Sequence, residues 1–154
     1  MASLLTMTFS QPTRSLSPGE ILVREGDPGG DLYVLETGRL IVARDGVDIA
    51  TISEPGALIG EMSVLLGIDN SATVRADKAA AVRVVKDGIK FLERTPLVAL
   101  HVATLACARL DATSALLVEL KKESPGKAND SFFARLMNAL MEPAPKRGAH
   151  AAHE

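Results

Sequence analysis

The sequence predicts a mainly β fold with flanking helices: a sandwich, roll or jelly roll of short strands followed by one long helix. Two textures carry the prediction. Residues 16 to about 90 are rich in Gly, Asp, Val and Ile, with turn signals at close spacing, which is the pattern of many short strands. Residues 95–122 are rich in Ala and Leu, with no Gly and no Pro beyond Pro96, which reads as a helix. The length, 154 residues, is that of one domain able to bury a core without metals or cross-links.

The strands follow in order. Leu16-Ser17-Pro18-Gly19 is a turn. A strand is expected over Ile21–Arg24, and Gly26 to Asp31 form the next loop. Leu32–Leu35 reads as a strand ended by Thr37-Gly38, and Leu40–Ala43 as its continuation. Asp45-Gly46 marks a hairpin turn. Ile49–Ile52 returns and Glu54-Pro55-Gly56 breaks it. Ala72–Ala76 and Ala81–Val85 read as two further strands.

The long helix begins at Thr95, which can cap the first turn, with Pro96 at the first helical position. Lys121 and Lys122 suit the negative end of its dipole, and Ser124-Pro125-Gly126 stops it. At 1.5 Å per residue such a helix is about 40 Å long. Ala103, Ala106, Leu110, Leu117 and Leu120 fall near a seven-residue repeat, with Thr113 as a polar gap. Such a stripe pairs with a second copy of the chain, packs on the chain's own roll, or does both on different faces. A last amphipathic helix is expected, capped by Asp130 or Ser131 and stopped by Pro143, with Phe132, Phe133, Leu136, Met137, Leu140 and Met141 at helical spacing. The organisation expected is a segment 1–15, a domain 16–123, a short helix within 124–142 and a disordered tail 143–154.

Composition sets several functions aside. With 47% hydrophobic and 23% charged residues, the chain has enough apolar surface to fold. The one cysteine, Cys107, cannot make an intrachain disulfide, so a disulfide-stapled scaffold is excluded; a packing thiol is expected. No unbroken apolar run reaches the roughly 18 residues of a membrane span, and the N-terminus lacks the basic region of a signal peptide. A cytoplasmic protein without membrane attachment is the expectation. The net charge of -2 and the 3% aromatic content give no ground for nucleic-acid binding. Basic residues between Arg75 and Arg94 are diluted by Asp77, Asp87 and Glu93 and are expected on a solvated strand face.

The chemistry centres on Ile59-Gly60-Glu61-Met62-Ser63-Val64-Leu65-Leu66, followed by Ser71-Ala72-Thr73-Val74. Gly60 lets the backbone approach a ligand closely. If a short helix starts there, its first N–H groups face outward for an anion. Glu61 repels phosphate, but its carboxylate can accept from a sugar hydroxyl. A plain reading has Gly60 as a turn and Glu61 as a cap.

The order of the motifs resembles the cyclic nucleotide-binding domain family, and more closely the sensor half of bacterial catabolite-activator-type (Crp/Fnr) regulators. The resemblance runs from Leu16 to about Lys122. Leu16-Ser17-Pro18-Gly19-Glu20 with Glu25-Gly26-Asp27 is similar to the opening turn and first strands. Asp31-Leu32-Tyr33-Val34-Leu35 and Gly38-Arg39-Leu40 are similar to the next hairpin. Gly60-Glu61-Met62-Ser63 and Ser71-Ala72-Thr73-Val74 are similar to the phosphate-binding cassette. The resemblance implies a β-roll, a short cassette helix and a long C-terminal helix that closes over the pocket. It also implies a ligand such as cyclic AMP or cyclic GMP, with no further cofactor.

One position departs from the pattern. The family carries Pro-Arg before the Ala-Thr segment, and the Arg pairs with the cyclic phosphate. Here the residues are Asp69-Asn70. Losing a charge-assisted bond of about 1.5–3 kcal/mol weakens binding roughly tenfold to a hundredfold, and Asp69 adds an unfavourable charge. Arg75 lies an odd number of residues from Asn70, so on a regular strand it points the other way. Arg109-Leu110-Asp111-Ala112-Thr113-Ser114 is similar to the stretch whose Thr-Ser pair contacts adenine in catabolite-activator proteins. The nucleotide-binding set expected is therefore Ile59, Gly60, Glu61, Met62, Asn70, Ser71, Ala72, Thr113 and Ser114.

No catalytic triad, metal-ligand cluster or Walker loop is visible, so neither catalysis nor a metal is expected. His150 and His153 supply only two ligands, and His101 reads as a solvated or seam position. From Glu123 onward 32 residues remain, short of the roughly 50 of a further domain, so direct DNA binding is not expected. Two functions stand: a stand-alone cyclic nucleotide sensor of reduced affinity acting on an effector protein, or a degenerate, non-binding domain that serves as a protein-interaction or dimerisation module.

Overall fold

The structure, a computed structural model, describes residues 3–123 and 126–141. It is an antiparallel sheet of six strands with helices before, within and after it. The strands are β1 (Thr13–Leu16), β2 (Ile21–Val23), β3 (Leu32–Arg44), β4 (Val47–Ile52), β5 (Leu58–Ile59) and β6 (Thr73–Val85). The helices are α1 (Leu4–Met7), α2 (Glu61–Leu66), α3 (Gly88–Arg94), α4 (Pro96–Glu123) and α5 (Lys127–Met141). Two compact units divide between Val98 and Ala99. The mainly β class with flanking helices and a long helix from Pro96 is as the sequence predicts.

β6 is the organising strand. It pairs with β1 (Leu16 opposite Ala80), with β2 (Ile21 opposite Arg75) and along its length with β3, from Leu32 opposite Val85 to Ala43 opposite Thr73. β3 also pairs with β4 and, through Tyr33 opposite Ile59, with β5. Alternating side chains from these strands fill one core: Leu16, Leu22, Tyr33, Leu35, Leu40, Ile59, Val74, Ala76, Ala80 and Val82.

The predicted break at Thr37-Gly38 is an irregularity inside one long strand. The β3–β6 register shifts between Leu35 and Leu40. Gly38 has φ +94°, and an added Cβ would collide with Ala79 O and the Ala80 backbone. A glycine within a strand marks close backbone approach and a bulge as readily as an end. The two strands expected over residues 72–85 are likewise one, running unbroken past the exposed Lys78 and Ala79. The Asp45-Gly46 turn forms as expected, both residues having positive φ, +50° and +75°.

Four elements have no counterpart in the sequence reading. α1, capped by the Ser3 hydroxyl on Thr6 N at 3.2 Å, buries Leu4. β1 precedes the first predicted turn, and β5 is two residues long. α3 takes up Lys90 and Arg94, so the basic stretch 75–94 is not a single strand face. Asp87, itself at φ +49°, caps α3 through Oδ1, which accepts from Lys90 N.

α4 starts at Pro96 and ends at Glu123, within a residue of expectation. Its apolar residues are distributed round the helix: Leu97, Leu100, Leu110, Leu116, Val118 and Leu120 are all exposed. Cys107 is also exposed rather than packed. By length and composition α4 is apolar enough to cross a membrane. The sequence reading missed this because Arg109 and Asp111 interrupt the run without lowering its average below that of a span. α5 begins at Lys127, before the expected caps, and Asp130 N already donates within the helix to Gly126 O at 3.0 Å. The expected tail 143–154, with His150 and His153, lies outside the described residues.

Candidate functional site

The cassette is built from β5 outward. Pairing of Ile59 with Tyr33 delivers the chain to Gly60. Gly60 adopts the left-handed conformation, φ +92° and ψ 0°, and caps α2. Its carbonyl accepts from Val64 N at 3.2 Å and from the buried Ser63 hydroxyl at 3.0 Å. A Cβ here would lie 2.6 Å from Asp31 O, so conformation and contact both require glycine. Glu61 and Met62 form the first turn of α2, where a helix supplies no preceding carbonyl for its N–H groups. Gly67, at φ +64°, ends the helix.

The chain then returns to β6 through Asn70, Ser71 and Ala72, all half-buried. Asn70 is fixed by a reciprocal backbone pair: Gly26 N donates to Asn70 O at 2.8 Å, and Asn70 N donates to Asp27 O at 2.9 Å. Its side chain and that of Ser63 both approach Gly29, where an added Cβ would strike the Ser63 side chain and lie 3.0 Å from Asn70 Oδ1. The loop 26–31 thus meets a distant part of the chain, α2 and the return to β6 that follows it.

A second lock holds the same loop to α3. The Asp31 carboxylate accepts from Lys86 Nζ at 2.7 Å and from Asp87 N at 3.1 Å, and Gly88 N donates to Gly30 O at 2.7 Å. The hydrogen bond to Asp31 raises the Lys86 ammonium above its ordinary range. Burial, helped by the nearby Asp31 charge, raises the Tyr33 phenol. Gly88 brings α3 onto α2: a Cβ there would lie 3.0 Å from both Val64 methyls.

A groove of about 510 Å³, lined by residues 19–24, Asp27, Pro28, Tyr33 and Asn70, touches the cassette at Asn70 alone. A second, of about 720 Å³, lies by the β3–β4 hairpin between Glu25, Ala43, residues 46–48, Thr73 and Arg75. Arg75 is committed there, donating twice to the Asp48 carboxylate at 2.8 and 2.9 Å. This hydrogen bonding lowers Asp48 and raises Arg75 from their ordinary ranges.

Ile59, Gly60, Glu61, Met62, Asn70, Ser71 and Ala72 all lie in the first unit. Thr113 and Ser114 belong to the second; Thr113 Oγ1 donates to Arg109 O at 2.7 Å, and Ser114 is half-buried. Sequence reasoning missed Gly29, Arg24, Asp27 and Tyr33 as neighbours of Asn70. The Asp27-Pro28-Gly29-Gly30-Asp31 run carries a turn signal, and only the long-range pairing with Asn70 gives it a second meaning. Among the described residues no group of three His, Cys, Asp or Glu side chains is placed to hold a metal.

A β-roll whose short helix opens on a left-handed glycine followed by Glu defines a class of small regulatory ligand-binding domains. The description "Cyclic nucleotide-binding domain" matches residues 13–89, and the chain belongs to that family. It is 40% identical over 62 residues to the Acetyltransferase Pat of Mycolicibacterium smegmatis, covering 38% of this chain and 19% of that one. It is 36% identical over 64 residues to the cAMP-dependent protein kinase type II regulatory subunit of Drosophila melanogaster, covering 42% and 17%. The matched stretch thus spans under a fifth of either relative. The Thermus thermophilus Catabolite Activator Protein superposes with a TM-score of 0.66 at 28% identity, over 77% of this chain and 59% of that one.

Proposed function

We propose that the chain is a sensor domain for cyclic AMP or cyclic GMP, with a weakened hold on the phosphate. The observation that supports the reading is the convergence of the Gly60-Glu61 turn and Asn70 on the loop 26–31; the reading takes Asn70 as the counterpart of the family's arginine. The backbone N–H groups of the Gly60–Met62 turn face the cyclic phosphate, with Asn70, Ser71 and Ala72 lining that side. The Glu61 carboxylate accepts from the ribose 2′-hydroxyl. Thr113 and Ser114 serve the purine. Binding shifts α4, and through it an effector protein, by the ligand's differential affinity for two arrangements. The domain senses and does not catalyse, and it acts in the cytoplasm.

Calorimetric titration of the natural protein and Asn70→Arg with both nucleotides tests the reading. Weak binding by the natural protein and tenfold to hundredfold tighter binding by the variant are expected. Silence from both overturns it.

A second reading rests on the exposed apolar residues of α4, Leu97, Leu100, Leu110, Leu116 and Leu120. In it the pocket is degenerate and the helix pairs with a second copy or a partner protein. Concentration-dependent sedimentation of a protein that binds neither nucleotide, in both natural and Asn70→Arg forms, is the result that favours it.

A further inference from the structure

On the cyclic nucleotide reading Asn70 leaves the phosphate without the family's cation, and among the described residues the groove that Asn70 lines holds one arginine, Arg24. Arg14 pairs with Glu20, Arg39 with Asp77, Arg75 with Asp48 and Arg83 with Glu36. Arg75, the nearest in sequence, is therefore spent. Arg24 makes no ion pair among the described residues, and it lines the same groove as Asn70. The two positions are held in register. Arg24 O accepts from Asp27 N at 3.2 Å, closing a turn whose Gly26 N and Asp27 O are the two backbone partners of Asn70. The loop that fixes Asn70 therefore starts at Arg24.

We infer that Arg24 supplies the cationic partner that position 70 lacks, so that the anionic phosphate is shared between the Asn70 amide and the Arg24 guanidinium. The inference rests on the cyclic nucleotide reading of the cassette. Arg24 is exposed, so its attraction is screened by salt and weaker than a buried arginine's. Asp27 lines the groove as well, and its carboxylate opposes an anion. An arginine here offsets that charge and adds donors in a fork that fits a phosphate.

The test is calorimetric titration of the full chain with cyclic AMP and cyclic GMP at about 20 mM and about 150 mM salt. The proteins compared are the natural chain, Arg24→Gln, Asn70→Arg, the double variant, and Arg44→Gln as a control lying outside the groove. Arg24→Gln is expected to weaken binding about tenfold at low salt and less at high salt, while Arg44→Gln changes it less than twofold. In the Asn70→Arg background the loss from Arg24→Gln shrinks, because the two cations serve one anion. Natural binding that Arg24→Gln leaves unchanged overturns the role of Arg24 and keeps the sensor reading. A silent natural protein with a binding Asn70→Arg variant also overturns it, since Arg24 then fails to compensate. Silence from both the natural protein and Asn70→Arg removes the sensor reading and this inference together. Thermal melts of Arg24→Gln matching the natural protein exclude loss of fold as the cause.

Discussion

The α-carbon of Gly60 faces the carbonyl oxygen of Asp31 so closely that a Cβ would stand 2.6 Å from it. The left-handed conformation of Gly60 adds a second penalty for any side chain. Gly60→Ala is therefore expected to destabilise the protein by about 1–3 kcal/mol. Gly46, also at positive φ but in open space, separates the two costs. Gly46→Ala pays for conformation alone and should lose less. Urea unfolding of both variants checks the order, and equal losses would mean that the Asp31 contact costs nothing.

Gly29 tests how the loop is seated. Its φ is ordinary, but a Cβ would strike the buried Ser63 side chain and come within 3.0 Å of Asn70 Oδ1. Gly29→Ala must displace α2 or the return loop, at a cost of about 1–3 kcal/mol. Amide chemical shifts of residues 60–71 should move, while those of the β3–β4 hairpin stay. A stable variant with unmoved cassette shifts would show that the loop does not set the position of α2.

Much of this arrangement was legible in the sequence because it depends on local rules. Pro96 and the Lys121-Lys122 pair marked α4, Asp45-Gly46 marked the hairpin, and the order of the Gly60-Glu61 and Ser71–Val74 motifs marked the family. What was not legible depends on partners distant in the chain. Gly38 reads as a strand end because nothing local says that Ala79 lies against it. β5 is too short for periodicity to register. α3 follows a strand without a break in polarity, and its cap, Asp87, adopts an unusual conformation fixed partly by Asp31. For the same reason Arg24 passed as a strand residue: its relation to Asn70 exists only through the 26–27 pairing.

The Arg75–Asp48 pair should behave as a surface clamp on the hairpin and play no part in the site. Hydrogen bonding to Arg75 lowers the Asp48 carboxyl. The pair's contribution is thus present above the ordinary carboxylate range and is lost as pH falls through the depressed folded value. Asp48→Asn should melt slightly below the natural protein at neutral pH, and the difference should vanish in acid. Salt should also shrink it, since both side chains are solvent-facing. Arg75→Gln should leave nucleotide affinity unchanged in calorimetry; a loss matching that of Arg24→Gln would place Arg75 in the site instead.

The purine role proposed for Thr113 carries a prediction about which purine is preferred. Its hydroxyl donates to Arg109 O at 2.7 Å, and while that bond is kept the oxygen accepts from a ligand. Adenine offers an exocyclic amine that donates; guanine offers a carbonyl at the same ring position, and two acceptors repel. Thr113→Ala should therefore weaken cyclic AMP about fivefold, the value of a hydrogen bond near 1 kcal/mol, and leave cyclic GMP unchanged or slightly tighter. Alanine is the better helix former by a few tenths of a kcal/mol, and Thr113 is exposed within α4. Damage to the helix thus cannot account for a loss. Competition titrations with the two nucleotides read the difference directly. Equal loss for both would remove Thr113 from base recognition and leave it as a polar position on the helix surface.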